Sequence, residues 1–240
     1  MRNVAIVLAA GSGSRMNLNV KKQYMLLNDR PLMTYCMDVF EKSDIITDVI
    51  LVTSQDDIEY CRNEIVSGFG YGKVRAVIPG GKERYNSVMA GLDKIKEEGG
   101  AEYVFIHDAA RPFVTEDIIK RLYEDVIRTY ASVAAVKSKD TVKIANNADF
   151  VVSTPNRELT WIIQTPQTFS YSLALEAYDK LREEEDGLSC QGIKVTDDAM
   201  VVETWTDHKV KLIEGSYENI KVTTPEDIDL AEAIIKRRIN

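Results

Sequence analysis

Short apolar segments alternate with longer mixed segments along the first half of the chain. The short segments are rich in branched apolar residues and predict β-strands at residues 4–8, 49–53, 74–78, 103–107 and 133–137. The longer segments predict helices at residues 32–42, 56–66, 85–97 and 116–129. Strands that alternate with helices are typical of a mostly parallel sheet covered on both faces. We therefore predict an α/β fold with a single Rossmann-like, mostly parallel sheet flanked by helices.

A closing helix is predicted at residues 225–236. A proline stands in its first turn, and Glu226 and Asp227 place negative charge near the positive end of the helix. Its apolar residues form one stripe, which we expect to pack on the sheet: Ile228, Ala231, Ile234 and Ile235.

The regular alternation stops at residues 140–164. Segments that favour β-structure at 141–144, 150–153 and 159–163 surround two adjacent asparagines, a pattern typical of a hairpin that leaves the sheet. A protruding two-stranded arm is unstable by itself in water. We therefore predict a homodimer in which this arm clasps a neighbouring subunit.

Length and composition indicate a single domain over residues 1–240, because 45% of the chain is apolar and no low-complexity linker divides it. The formal net charge of −8 argues against nucleic acid as a partner, since such a surface needs a basic stripe. No targeting signal and no apolar run of membrane length are found, so we expect a cytoplasmic protein without membrane contact. Three scattered cysteines and two histidines favour neither a zinc site nor a hydrolase triad, and we expect His107 to be a hydrogen-bonded structural residue.

A glycine-rich loop follows the first predicted strand. Gly11 and Gly13 allow the positive φ angles that turn backbone N–H groups toward an anion, and Arg15 adds a planar set of donors. The third glycine of a dinucleotide fingerprint and the Gly-Lys-Ser/Thr of a Walker loop are both missing. A second cationic group follows at Lys21 and Lys22. The loop therefore predicts a polyphosphate site, with a plain tight turn at a sheet edge as the alternative.

Two more loops follow predicted strands, at the edge where ligands bind in open α/β sheets. After the fourth strand, Asp108 suits Mg²⁺ or a sugar hydroxyl, and Arg111 suits a phosphate or a neighbouring carboxylate. An internal Asp–Arg pair that stabilises the loop is the alternative. After the third strand, Gly80 and Gly81 precede a helix start near Ser87, which can bind a base edge or a phosphate. A capped helix start is the alternative there.

Motifs spread over nearly the whole chain match one family when they are taken together. They are residues 8–16, Lys22-Gln23-Tyr24, Gly80-Gly81 with Arg84 and Ser87, residues 107–112, Thr165-Pro166-Gln167, Thr196-Asp197-Asp198-Ala199 and residues 219–227. In this order they resemble the motifs of the 2-C-methyl-D-erythritol 4-phosphate cytidylyltransferases. The first loop alone would indicate only a nucleotidyltransferase of sugar phosphates, and the later motifs narrow the resemblance.

The resemblance implies one nucleotidyltransferase domain that transfers CMP from CTP to 2-C-methyl-D-erythritol 4-phosphate with release of pyrophosphate, in the non-mevalonate route to isoprenoids. It implies Mg²⁺ or another divalent cation as the cofactor, for which Asp108 is our candidate ligand. The implied catalytic residues are Arg15, Lys22, Arg157 and Lys221. The implied substrate-binding residues are Asp108, Arg111, Thr141 and Thr165. The implied nucleotide-binding residues are Ala9, Ala10, Gly11, Gly13, Gly81 and Ser87.

Two details of the resemblance affect the expected site. Arg157 and Thr141 of this chain fall on the arm, which in the family joins two subunits, so the resemblance implies an active site shared across a dimer. Lys82 stands where an acidic residue often follows the glycine pair, so we expect backbone rather than side-chain recognition at that position.

Two other functions remain open at this point. A ribitol 5-phosphate cytidylyltransferase makes a precursor of cell-wall teichoic acid and would use the same chemistry on another alcohol phosphate. It is similar in the first loop, in the loop with Asp108 and Arg111, and in residues 219–225. Three motifs favour the methylerythritol substrate: Lys22-Gln23-Tyr24, the pair Ala109-Ala110 and Thr196-Asp197-Asp198-Ala199. A non-catalytic CTP sensor would bind the nucleotide without releasing pyrophosphate, but binding alone would not require four separate cationic residues.

Overall fold

A mixed β-sheet forms the centre of the part of the chain that the computed structural model describes, residues 1–11 and 21–239. The strands are β1 (Asn3–Leu8), β2 (Leu26–Leu27), β3 (Arg30–Pro31), β4 (Asp48–Thr53), β5 (Val74–Pro79), β6 (Tyr103–Asp108), β7 (Ala131–Lys137), β8 (Ile144–Ala145), β9 (Val151–Ser153), β10 (Trp161–Ser170) and β11 (Lys211–Glu214). The α-helices are α1 (Leu32–Lys42), α2 (Ile58–Tyr60), α3 (Arg84–Glu97), α4 (Glu116–Thr129), α5 (Tyr171–Glu184), α6 (Leu188–Gln191), α7 (Asp198–Trp205) and α8 (Glu226–Ile239).

Within the described residues the main sheet has seven strands in the order β11-β7-β10-β6-β1-β4-β5. Neighbouring strands are parallel except around β10, which is antiparallel to both β6 and β7. The five strands predicted from the sequence all belong to this sheet, so the predicted fold class is confirmed. The strand order reverses beside β1, because β4 and β5 lie on one side of it and β6 lies on the other.

Two apolar layers cover the sheet, because successive side chains of β1 point to opposite faces and all are apolar between Val4 and Val7. Val4 and Ile6 point into the layer that contains α3, α5 and α7, whereas Ala5 and Val7 point into the layer that contains α1 and α4. All four residues are fully buried. Because both faces of the strand are covered, it is apolar throughout rather than alternately polar.

Two predicted elements differ in detail from the structure. The helix predicted at 56–66 consists of a 3₁₀ turn (Gln55–Asp57), the short α2 and a π-helical segment (Cys61–Ser67). The closing helix α8 does not pack on the main sheet as predicted. Its apolar stripe instead contacts the β2 region, α1 and two loop residues, through Leu27, Leu32, Phe113 and Val222.

The predicted hairpin is present but shorter than expected. β8 and β9 pair antiparallel as a separate two-stranded sheet. The amide oxygen of Asn146 shapes the turn by accepting hydrogen bonds from the N–H groups of Ala148 and Phe150, at 3.0 and 3.1 Å. Residues 159–163, predicted as part of the arm, lie mostly in β10 of the main sheet. None of the helices in the described residues combines the length and apolar character needed to cross a membrane.

Candidate active site

A cavity of about 350 Å³ opens at the carboxyl ends of β1 and β6, beside the first turn of α3. This is the point where the strand order reverses, which is the usual ligand site of open α/β sheets. Five of the six residues predicted to bind the nucleotide line the cavity: Ala9, Ala10, Gly11, Gly81 and Ser87. The sixth, Gly13, lies outside the described residues. We call this space the first cavity.

The walls of the first cavity are loops that pack closely against one another. The N–H of Ala9 donates to the carbonyl of Val52 at 2.7 Å, and the N–H of Gly80 donates to the carbonyl of Thr53 at 2.7 Å. A Cβ atom on Gly80 would lie 2.6 Å from the Cβ of Ala10, which is closer than real Cβ atoms approach. Glycine is therefore required at position 80, because any side chain there would push the two loops apart.

The turn before α3 is held by hydrogen bonds to side chains. The N–H of Gly81 donates to Ser87 Oγ at 3.1 Å, and the N–H of Glu83 donates to Asn86 Oδ1 at 3.0 Å. The capped helix start that we considered as the alternative is therefore present, and it also forms part of the cavity wall. Lys82 lines the same cavity.

A second cavity of about 360 Å³ lies next to the first, against the start of α7 and the middle of β10. Three of the four predicted substrate-binding residues line it: Asp108, Arg111 and Thr165. Arg84, Asp108 and Lys221 line both cavities. These three charged side chains therefore lie at the boundary between a candidate nucleotide site and a candidate acceptor site.

Asp108 is the centre of an ion-pair network at this boundary. Its Oδ2 lies 2.6 Å from the ammonium of Lys221, and its Oδ1 lies 3.1 Å from Nε of Arg84. Burial alone would raise the pKa of Asp108, but the charges of Arg84, Lys221 and Arg111 together lower it well below its usual range. Asp108 is therefore ionised throughout the physiological range, and it holds the Lys221 ammonium beside both cavities.

Arg111 does not form the internal pair with Asp108 that we considered as an alternative, because Asp108 pairs with Arg84 and Lys221. The guanidinium of Arg111 instead donates to the carbonyls of Asn219 at 2.8 Å and Ile163 at 3.2 Å. Its Nε is buried and has no hydrogen-bond partner within the described residues. Burial lowers the pKa of Arg111, although not enough to discharge a guanidinium. Arg111 is thus a buried cation that pairs with no carboxylate among the described residues, and its place beside the second cavity suits a bound anion.

His107 and Thr165 connect the loop after β6 to β10. The Nε2 of His107 lies 3.0 Å from the carbonyl oxygen of Arg111, which can only accept, so this nitrogen carries the proton. The Nδ1 then accepts from the Thr165 hydroxyl at 3.0 Å, while Thr165 Oγ1 accepts from the N–H of Asp108 at 3.1 Å. Burial lowers the pKa of His107 to about 4. His107 is thus a neutral structural residue, as the sequence predicts.

The described part of the chain does not bring four further predicted residues to this site. Arg15 lies outside the described residues, and only the backbone of Lys22 is described, at the start of a 3₁₀ turn (Lys22–Tyr24). Arg157 and Thr141 are exposed near the base of the arm and line neither cavity. The roles expected for these four residues remain predictions.

Arg84 lines both cavities and Asp198 holds its side chain in place, although the sequence assigned neither residue a role. The guanidinium of Arg84 donates to both carboxylate oxygens of the fully buried Asp198, at 2.7 and 2.8 Å. The preceding Asp197 caps α7 by accepting from the N–H of Met200 at 3.1 Å. Two adjacent aspartates at the start of an apolar helix were the available signal, since only one of them can serve as the cap.

A sequence model of the 2-C-methyl-D-erythritol 4-phosphate cytidylyltransferase family matches residues 3–237 of the chain. A curated relative of that name from Lachnospira eligens is 48% identical over 236 residues, which cover 98% of this chain and 99% of the relative. A second one, from Lachnoclostridium phytofermentans, is 47% identical over 232 residues, with coverage of 97% and 95%.

The solved structures agree with these relatives. The crystal structure of 4-diphosphocytidyl-2C-methyl-D-erythritol synthase from Anaerococcus prevotii is 35% identical and superposes with a TM-score of 0.84, covering 98% of this chain and 96% of that one. The Francisella tularensis 2-C-methyl-D-erythritol 4-phosphate cytidylyltransferase is 29% identical, with a TM-score of 0.78 and coverage of 97% and 99%. The cavities at the ends of β1 and β6 thus belong to a chain that matches one family from end to end, and this chain is a member of the 2-C-methyl-D-erythritol 4-phosphate cytidylyltransferase family.

Proposed function

We propose that the protein transfers CMP from CTP to 2-C-methyl-D-erythritol 4-phosphate, which releases pyrophosphate and forms 4-diphosphocytidyl-2-C-methyl-D-erythritol, a step in the non-mevalonate synthesis of isoprenoid precursors. The observation that carries this proposal is the pair of adjoining cavities with Lys221 at their boundary. In this arrangement the nucleotide occupies the first cavity and the acceptor phosphate occupies the second. The α-phosphorus of CTP then lies where the two spaces meet.

The proposed reaction needs cations rather than a general base. The attacking group is a phosphate oxygen of the acceptor, which is already an anion at neutral pH. His107, whose ring nitrogens are both occupied and whose pKa is lowered to about 4, supplies no base. The barrier lies in bringing an anion to a polyanion, so the contribution of Lys221 is to neutralise charge that develops at the boundary. Arg15 and Lys22 would do the same at the triphosphate.

The carboxylate of Asp108 suits a divalent cation that arrives with the nucleotide. Within residues 1–11 and 21–239 no group of three or more histidine, cysteine, aspartate or glutamate side chains is placed to hold a metal ion. Magnesium is commonly bound by one or two carboxylates together with substrate phosphates, and Asp108 supplies one carboxylate that faces both cavities. When bound, the ion would neutralise part of the triphosphate charge. Asp108 would hold it, and Lys221 would have to yield part of its contact with Asp108 Oδ2.

We also propose that the protein is a homodimer whose arms complete the sites. Four apolar side chains of the arm are more than half exposed, namely Ile144, Phe150, Val151 and Val152. A second subunit would remove this surface from water. Arg157 and Thr141 would then contact the acceptor in the neighbouring subunit rather than in their own. Because the reaction consumes CTP, we place it in the cytoplasm.

Pyrophosphate release tests the proposed reaction. Purified protein is incubated with CTP and Mg²⁺, and with 2-C-methyl-D-erythritol 4-phosphate, ribitol 5-phosphate or no acceptor. We expect release only with the methylerythritol phosphate, together with a product of the mass of the cytidine diphosphate ester. Release only with ribitol 5-phosphate would change the acceptor and keep the chemistry. CTP binding without release for either acceptor would support a sensor instead.

A further inference from the structure

Lys21 and Lys22 are adjacent, and the family resemblance assigns a catalytic role to Lys22 but none to Lys21. The structure gives Lys21 two close partners away from the cavities. Its ammonium donates to Asp57 Oδ2 at 2.6 Å and to Ser54 Oγ at 2.7 Å. In the described part of the chain Lys21 lines neither the first nor the second cavity. Its charge is therefore used to hold two parts of the protein together.

The residues on the other side of Lys22 are also tied down. The side-chain amide of Gln23 donates through Nε2 to the carbonyl of Ala9 at 2.6 Å. The hydroxyl of Tyr24 lies 2.7 Å from Thr53 Oγ1 and 3.2 Å from the Sγ of Cys61. Lys22 therefore lies between two residues whose side chains are held in place. Lys21 is bound just after the end of β4, and Gln23 is bound just after the end of β1.

The position of Asp57 suits it to hold the side chain of Lys21. It lies in the 3₁₀ turn (Gln55–Asp57) that follows β4, and its own N–H donates to the carbonyl of Ser54 at 3.0 Å. Its side chain is 18% exposed, and that of Lys21 is 34% exposed, so water screens the pair only in part. The hydrogen bonds from Lys21 and Ser54 outweigh the effect of burial and lower the pKa of Asp57, which keeps the carboxylate charged.

We propose that Asp57 is a positioning residue for the cytidylyl transfer, which through Lys21 and Ser54 fixes the backbone at Lys22. This inference rests on the proposed function and adds to it a residue that touches neither substrate. Positioning of a charged group matters because a displacement of about 1 Å can cost up to about a hundredfold in rate. Loss of the Asp57–Lys21 pair leaves the Lys22 cation in the protein but less well placed, so the defect is smaller than deletion of that cation.

A double-mutant cycle tests the proposal with substitutions that keep side-chain size. Asp57→Asn removes the charge of the carboxylate, and Lys21→Met keeps the apolar stem of the lysine. We expect each single variant to lower kcat by about tenfold, with KM for 2-C-methyl-D-erythritol 4-phosphate unchanged. We expect the double variant to be no slower than either single variant, because both substitutions remove one interaction. Lys21→Arg, which retains the charge, should keep most of the wild-type kcat.

Glu59→Gln is the matched control, since it removes an exposed pair with Arg62 close by in the same helical region. It should leave kcat unchanged. A wild-type kcat in Asp57→Asn would overturn the proposal, as would losses that multiply in the double variant. A severe loss in Lys21→Met with normal activity in Asp57→Asn would mean that Lys21 itself contacts phosphate. Failure of the wild-type protein to release pyrophosphate with any acceptor would refute the proposed function instead, so the two failures are distinguishable.

Discussion

Acidification should destabilise the protein through His107 in a way that can be measured. The ring is fully buried, its pKa is lowered from 6.5 to about 4, and both of its nitrogens are hydrogen-bonded. Below pH 6.5 the unfolded chain binds a proton at this residue, whereas the folded chain does not until the pH falls to about 4. Stability contributed by the neutral ring is therefore present above pH 6.5 and is lost as the pH falls from 6.5 to 4.

The size of the effect follows from the shift in pKa. A difference of 2.5 pKa units, taken from 6.5 and about 4, corresponds to about 3 kcal/mol when the transition is complete. At pH 4.5 most of this stability has been lost relative to pH 7.5, about 2–3 kcal/mol. A loss of this size is a large part of the free energy of unfolding of a typical domain, which is about 5–15 kcal/mol.

Denaturant unfolding of the wild type and of His107→Gln at pH 7.5 and pH 4.5 isolates this contribution. The variant is less stable than the wild type at both pH values. Protonation of carboxylates lowers the stability of both proteins alike, so the pH dependence of the difference in their free energies of unfolding reports on His107. We expect the advantage of the wild type to shrink by about 2–3 kcal/mol at the lower pH. Since the chain has only two histidines, NMR titration of their ring protons provides a second readout. A constant advantage at both pH values, or a His107 signal that titrates near pH 6.5, would refute the reasoning.

Three further predictions follow from the site and the core. Lys22→Ala should keep the fold and CTP binding but lower turnover by about a hundredfold, because loss of one cation raises the activation free energy by on the order of 3 kcal/mol. Near-normal turnover would exclude Lys22 from the mechanism. Arg157→Ala should impair use of the acceptor phosphate, and mixed dimers with Lys221→Met should regain activity, because one of their two sites then has both residues; mixed dimers that stay inactive would argue against a shared site. Gly91→Ala should destabilise the fold by about 1–3 kcal/mol in thermal or denaturant unfolding, because its Cβ would lie 2.8 Å from Cγ2 of Ile6, and an unchanged Tm would contradict this packing.

Much of the fold could be predicted from local patterns. The strands at the centre of the sheet are short apolar runs, and the glycine and alanine residues at their ends mark where a ligand approaches. β10 could not be predicted beyond Ile163, because the residues that follow include Gln164, Thr165, Gln167 and Thr168, which are polar and yet buried. Their polar groups are largely used in long-range contacts, such as Gln167 Oε1, which accepts from the N–H of Ala199 at 2.8 Å. A polar strand of this kind is stable only where its partners are already in place.

The sequence by itself determined the fold class, the family and the polar loops that meet at the carboxyl edge of the sheet, because these depend on local periodicity and on short motifs. Only the tertiary structure decided which charges pair. Asp108 pairs with Arg84 and Lys221 rather than with the nearby Arg111, and Lys21 pairs with Asp57. These partners lie 24, 113 and 36 positions apart in the chain. Ion pairing depends on distance in space and on burial, and neither is set until the strands have taken their order in the sheet.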